Sequence, residues 1–272
     1  MKRLLTAVIF LPFLIASILI ASLWWLFVVL AVAAMVLGLW EFYLLAKRLQ
    51  LKPDPTAGYI AGAAIITISL NNDAAVNVLL VQFVIIALTI GTLIAATFRG
   101  SFDKMIASTG ATILGVLYIP LLGSHLISMR VGFNPILSAH LLSFFFLVLM
   151  GADAGAYYIG RAFGKHKLAP AISPGKTWEG AIGGIVAALA MGALAHFWFF
   201  RELSLKYALP LAAIMAVLGI FGDLAESALK RGAGAKDAAN ILPGHGGVLD
   251  RLDSLLFNAP LIYYFARFYF HS

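Results

Sequence analysis

Apolar residues fill this chain in long runs, and short polar stretches punctuate them. The runs are Leu4–Ala21, Ser22–Ala46, Thr56–Leu70, Ala75–Phe98, Ile106–Met129, Pro135–Ile159, Trp178–Phe200, Tyr207–Phe221 and Leu252–Phe270, nine in all. A helix needs about 20 mostly apolar residues to cross a bilayer, with a range of roughly 17–25. The third and eighth runs are short, and the first two abut almost without a break. The pattern predicts an all-α polytopic membrane protein with about nine transmembrane helices. A single integral membrane domain over residues 1–272 is expected. The eighth helix should continue past the membrane surface, because residues 222–230 hold no breaker after Gly222. Met1-Lys2-Arg3 and the apolar stretch after it have the outline of a signal peptide. The apolar region is long, however, and the next run begins almost at once, so a retained first helix is the expectation.

Composition agrees with the pattern. Hydrophobic residues make up 62% of the chain and charged residues only 11%, whereas soluble domains carry about 25% charged residues. There is no cysteine, so disulfides and thiolate metal sites are excluded. The cations are distributed unevenly. With nine crossings and the N-terminus inside, fifteen of the nineteen Lys and Arg residues fall on the inner side. Only Arg130, Arg201, Lys206 and Arg267 fall outside. By the positive-inside rule the N-terminus and the two long polar connections, 160–177 and 232–250, face the cytoplasm. The net charge of +7 is mostly this bias, and a basic face suits anionic lipid head groups. Connections this long in a compact protein are usually functional or disordered. No internal repeat or low-complexity tract is visible.

Charge concentrates between Gly222 and Asp253. This stretch holds five of the twelve acidic residues: Asp223, Glu226, Asp237, Asp250 and Asp253. It also holds Lys230, Arg231, Lys236, His245 and Arg251. A charge in lipid costs roughly 2.5–3.5 kcal/mol even on the mildest scale, so such groups usually mark a site. Asp223, Glu226, Ser227 and Lys230 fall at i, i+3, i+4 and i+7, which places them on one helical face. Gly232 and Gly234, and then Pro243-Gly244-His245-Gly246-Gly247, allow tight turns that present N–H groups to an anion. Carboxylates on separate segments with lysines between them suit metal-assisted phosphoryl or nucleotidyl transfer. Mg²⁺ takes oxygen ligands, commonly one or two carboxylates plus substrate phosphates, and Lys and Arg stabilise developing phosphate charge. Taken singly, Asp223 and Asp250 could equally be ion-paired structural groups or helix caps. Asp253 could simply pair with Arg251 or Lys230. His245 between glycines reads as a turn residue or hydrogen-bond donor, because nothing else offers it a His or Cys partner at ligand spacing.

The connection before the seventh run adds further candidates. Asp153 lies inside the sixth run, where a polar group is expected to face a cavity. Gly160-Arg161 and Gly164-Lys165 set cations beside small residues, and Ser173-Pro174-Gly175-Lys176-Thr177 is a turn with a cation and two hydroxyls. It lacks the Gly-x-x-x-x-Gly-Lys spacing of a phosphate loop. An ordinary basic inner loop would look similar. Glu179 could simply favour the helix dipole in the first turn of the seventh helix.

Together these residues resemble the phosphatidate cytidylyltransferase family, also called CDP-diacylglycerol synthase. The resemblance is carried by Ser227, Leu229, Lys230, Arg231, Lys236, Asp237, Leu242, Pro243, His245, Gly246, Gly247, Asp250, Arg251 and Asp253, a signature 27 residues long. The upstream Ser-Pro-Gly-Lys-Thr-Trp-Glu-Gly stretch, 173–180, also looks like this family. The likeness is firmest over 151–253, and the first 130 residues add only hydropathy.

The resemblance implies a reaction in which CTP and phosphatidic acid give CDP-diacylglycerol and pyrophosphate, for phospholipid biosynthesis. It implies Mg²⁺ with a second, monovalent cation, and a homodimer in the bacterial inner membrane. Asp223 and Asp250 match the positions expected to hold the metals. Lys230, Arg231, Lys236 and Ser227 complete the expected catalytic set, the cations acting on the lipid phosphate or the triphosphate. Lys176, Thr177 and Arg161 are expected on the nucleotide side. Glu226, Asp237, His245 and Arg251 are expected among the substrate-binding residues. No nucleic-acid partner is expected.

The alternative from another class is a polytopic transporter or channel with the acidic cluster as its cation site. Two features oppose it: the charges gather on one side rather than at mid-bilayer, and no inverted repeat is visible. A transferase joining CDP-alcohols is the nearer rival, but its Asp-Gly…Ala-Arg…Gly…Asp…Asp pattern is missing.

Overall fold

The structure, a computed structural model, describes residues 2–71, 73–99, 102–235 and 247–270. Each apolar run becomes a helix. These are α1 (Lys2–Leu19), α2 (Trp24–Arg48), α3 (Pro55–Ser69), α4 (Ala74–Thr97), α5 (Met105–Val116), α6 (Leu122–Val131), α7 (Pro135–Phe163), α8 (Trp178–Trp198), α9 (Leu205–Gly232) and α10 (Leu249–Phe270). The fifth run carries both α5 and α6, joined by a π turn over Leu117–Leu121 that contains Pro120. Among the described residues, Ala21–Arg48, α4, Met105–Val131, α7, α8 and α9 are each long and apolar enough to cross a membrane. The chain is an all-α polytopic membrane protein. α3, at 15 residues, is a shorter apolar helix. The eighth run looked short because polar residues interrupt its hydropathy at Asp223. Backbone hydrogen bonding is indifferent to that, and α9 runs unbroken through Asp223 to Gly232, 28 residues in all.

One connection has more structure than the sequence suggested. α7 runs three residues beyond Gly160, and the rest forms a hairpin of β1 (Lys167–Ala169) and β2 (Ser173–Thr177). The strands pair antiparallel, with Lys167 opposite Thr177 and Ala169 opposite Ser173.

The chain forms two compact units, one of residues 1–135 with 229–252 and the other of 136–228 with 253–272. In the first unit Ala61 and Ile65 of α3, Leu88 of α4 and Val116 of α5 form a dry cluster. Asp54 caps α3, accepting from the Ala57 N–H at 3.1 Å, and Pro55 sits at the first helical position, where no donor is needed. Buried Arg130 donates to the carbonyls of Ser17, Ile20 and Ala21, satisfying the end of α1. An arginine counted on the outer side is therefore a helix clamp.

In the second unit small residues let backbones approach, as is usual where lipid gives no hydrophobic drive between helices. A Cβ built on Gly155 of α7 would lie 2.4 Å from the Ala187 Cβ and 2.8 Å from the Gly183 carbonyl oxygen of α8. One on Gly222 of α9 would lie 2.5 Å from the Asp253 carbonyl oxygen of α10. Phe200 stacks on Phe270 at 5.7 Å and meets Phe144 edge-on, an aromatic plug far along these helices from Gly222.

Candidate active site

The hairpin of the second unit is built to present Lys176. Thr177 caps α8, its hydroxyl accepting from the Gly180 N–H at 3.1 Å. Glu179, in the first turn of α8, accepts from the backbone N–H of Lys165 at 3.1 Å and contacts the His166 ring nitrogen at 2.6 Å. The N–H of Trp178 closes on the His166 carbonyl at 2.9 Å. With both ends fixed, the Lys176 ammonium lies 2.6 Å from Asp223 Oδ2. The other oxygen of Asp223 accepts from the Ser227 hydroxyl at 3.3 Å, one turn along α9. The expected spacing of Asp223 and Ser227 on one face is thus realised as a contact. Asp253 is only 9% exposed, with Asp223 and Asp153 acting on it as like charges and Lys176 as the countercharge. Segments from α7, β2, α9 and α10 therefore bring Asp153, Lys176, Asp223 and Asp253 into one electrostatic neighbourhood. Glu226 is buried in α9.

The first unit holds the other carboxylate. Lys230 and Asp250 form a hydrogen-bonded ion pair, and both side chains are mostly buried. Asp250 Oδ2 accepts from the Gly247 N–H at 2.8 Å, so this carboxylate is also turned back on the start of its own helix. Glu41 of α2 was not anticipated. It is fully buried and accepts from the N–H of Val248 at 2.9 Å and of Leu249 at 2.7 Å. The signal was present: Glu41 is the only acidic residue in the first 53, set inside an apolar run.

The remaining candidates divide. Arg161 is exposed and donates to the Tyr157 hydroxyl at 3.1 Å, one turn back on α7. Arg231 donates to the Ala235 carbonyl at 3.4 Å, and Arg251 is exposed in the first turn of α10. Thr177 spends its acceptor on the helix cap. Lys236, Asp237 and His245 lie outside the described residues.

Taken each within its own unit, Asp223 and Asp250 have the chemistry to ligate a hard cation. Both offer oxygen only, and both already hold a positive charge against one oxygen while the other accepts a hydroxyl or an N–H. Among the described residues no three His, Asp or Glu side chains form a ready metal cage. Mg²⁺ does not require one when phosphates supply further ligands.

Known proteins resemble this chain along nearly its whole length. The sequence profile of the cytidylyltransferase family matches residues 1–269. The phosphatidate cytidylyltransferase of Pseudomonas aeruginosa is 35% identical over 262 residues, covering 96% of this chain and 94% of the relative. That of Bacillus subtilis is 40% identical over 184 residues, 66% of this chain and 64% of the relative. That of Haemophilus influenzae is 43% identical over 141 residues, 50% of this chain and 48% of the relative, so that match spans about half of its length. With a family match over residues 1–269 and a relative 35% identical across 96% of its length, this chain belongs to the cytidylyltransferase family.

Proposed function

We propose that this protein transfers the cytidylyl group of CTP to phosphatidic acid, giving CDP-diacylglycerol and pyrophosphate. The observation that carries this reading is the pairing of each candidate metal carboxylate with a lysine, Asp223 with Lys176 and Asp250 with Lys230. Such pairs hold anionic oxygens and cations ready for phosphate chemistry. The named activity of the relatives supports the choice of substrates.

The phosphate monoester of phosphatidic acid is already a nucleophile, so no strong general base is required. One of its oxygens forms a bond to the α-phosphorus of CTP, and the bond from that phosphorus to the bridging oxygen breaks as pyrophosphate leaves. Catalysis is then mainly positioning and charge neutralisation. Asp223 and Asp250 each act as a cation ligand in this reading. When bound, Mg²⁺ supplies charge neutralisation at the leaving pyrophosphate, and a monovalent cation accompanies it. Lys176 and Arg161 serve the nucleotide in this reading. Lys230, Arg231 and Lys236 serve the lipid phosphate or the triphosphate. The protein works as a homodimer in the bacterial inner membrane, with these residues on the cytoplasmic side where CTP is available.

The test is incorporation of radiolabelled CTP into chloroform-soluble lipid by purified protein with phosphatidic acid, with and without Mg²⁺. Asp223→Asn and Asp250→Asn are each expected to lose on the order of 10²-fold or more in kcat. Near-wild-type activity of either variant at limiting Mg²⁺ would overturn its assignment. No label in lipid from the unaltered protein would overturn the reaction and leave transport to be measured.

A further inference from the structure

The start of helix α10 is held by a carboxylate from another helix. Its first N–H groups need acceptors, yet Gly246-Gly247-Val248 brings no side chain able to accept. Asp250 reaches back to the Gly247 N–H, at 2.8 Å. The N–H groups of Val248 and Leu249 are instead taken by the two oxygens of Glu41, one each, at 2.9 and 2.7 Å. The acceptor comes from 207 residues away in sequence and from a different helix. Burial of Glu41 inside an apolar helix is costly, and its arrangement needs a reason beyond capping.

The reason lies one residue further along α10. Asp250 comes directly after the gripped amides, and its carboxylate holds Lys230. Three consecutive backbone N–H groups, of Gly247, Val248 and Leu249, are thus each tied to a carboxylate, and Glu41 holds two of them. Gly247 is also fitted to the grip, because a Cβ there would lie 2.6 Å from Glu41 Oε2 and 3.0 Å from its Cδ. The sequence has left that space for the carboxylate.

We infer that Glu41 is a positioning residue for Asp250. It fixes the point where α10 begins against α2, and so sets the place and direction of the Asp250 carboxylate and of Lys230 bound to it. This rests on the role given to Asp250 in the proposed function. Glu41 itself touches no substrate. Its negative charge also favours the positive end of the α10 dipole, which strengthens the grip.

The test uses the full-length protein in detergent or nanodiscs. Glu41→Gln keeps the shape but turns an amide NH₂ toward one of the two N–H donors, so one hydrogen bond is lost and a donor meets a donor. Hydrogen exchange across residues 247–250, the melting temperature, and kcat and KM for CTP and phosphatidic acid are measured together. Expected results are exchange at least about tenfold faster in that segment and kcat lower by roughly 10- to 100-fold, with KM for CTP within about threefold. Gly247→Ala is the second variant. It displaces the carboxylate without removing its charge, and it should reproduce both effects should Glu41→Gln fail to accumulate. Arg130→Gln removes a different buried clamp in the same unit and calibrates what lost stability alone does to turnover. In Asp250→Asn, adding Glu41→Gln should lower kcat by less than about threefold, because the two act through one carboxylate.

Faster exchange with unchanged kcat would make Glu41 a cap for folding only and overturn the inference. So would unchanged exchange, or a kcat loss no larger than in Arg130→Gln at the same loss of stability. Hydrogen exchange reads the grip whether or not the unaltered protein makes CDP-diacylglycerol, so failure of the reaction and failure of the positioning role are seen separately.

Discussion

Gly222→Ala adds a single methyl group at the closest approach of α9 and α10. The new Cβ would lie 2.5 Å from the carbonyl oxygen of Asp253, 3.0 Å from its carbonyl carbon and 3.2 Å from Ser254 Cα. Comfortable C···O contacts begin at about 3.3 Å, so the helices must part by roughly 0.8 Å. Every atom met belongs to backbone, so no rotamer change relieves the clash. Overpacking of this kind costs about 1–3 kcal/mol, and the better helix propensity of alanine offsets about 1 kcal/mol of it. The net loss of stability is therefore small.

The loss of activity should be much larger. Asp223 is the next residue after Gly222, and Asp253 is the residue that is pushed. On the role proposed for Asp223, a displacement near 1 Å costs on the order of 10²-fold in rate. Gly219→Ala, one turn earlier on α9, supplies the control, because its Cβ meets nothing closer than Ser254 Cβ at 3.6 Å. That variant should keep full activity and melt at the same temperature or slightly higher. Both variants are purified in detergent, melted, and assayed for CTP-dependent lipid product at saturating substrates. Turnover by Gly222→Ala within about threefold of Gly219→Ala would refute the idea that this crossing sets the Asp223 geometry.

Three further outcomes are expected. Thr177→Ala removes the α8 cap and should cost about 1 kcal/mol, seen as a lower melting temperature that Thr177→Ser restores; a higher KM for CTP at unchanged stability would instead make the hydroxyl a nucleotide ligand. Lys176→Met strips the countercharge from Asp223 and should lower kcat by roughly 10²-fold, whereas an unaltered kcat would remove Lys176 from the reaction. Burial pushes the Asp54 carboxyl up, but the Ala57 N–H and the Arg99 guanidinium more than reverse this, leaving it below its ordinary value of 3.8. Its stabilisation is then present above the unfolded-chain value and lost as pH falls through the depressed one. The melting deficit of Arg99→Gln should be full at about pH 6 and shrink below about pH 4, and a deficit independent of pH would sink the electrostatic account.

The helices could be read in advance because membrane crossing imposes one simple demand, length without charge, and a run such as Ala75–Phe98 meets it visibly. The hairpin could not. Ser-Pro-Gly-Lys-Thr has poor strand propensity, and β2 is held by contacts outside itself: the Thr177 cap, the carboxylate of Glu179, and the Trp178 N–H on His166. The candidate residues show the same division. Asp223 and Asp250 stand out as charges in an apolar chain, but which lysine serves which carboxylate is decided by tertiary placement. Lys176 and Asp223 are 47 positions apart and on different elements. Helical spacing placed Lys230 on the face of Asp223, yet its ion pair is with Asp250. Glu41 makes the point most sharply. A single carboxylate in an apolar run carries as much information as a cluster, because the energy that must compensate its burial is the same per charge. What the sequence omits is the identity of the compensating groups. Here they include two backbone amides, and backbone donors leave no trace in the side-chain sequence. An isolated membrane acid with no cationic partner in view should therefore direct attention to uncapped helix starts, and in this chain the start it serves is the one that carries Asp250.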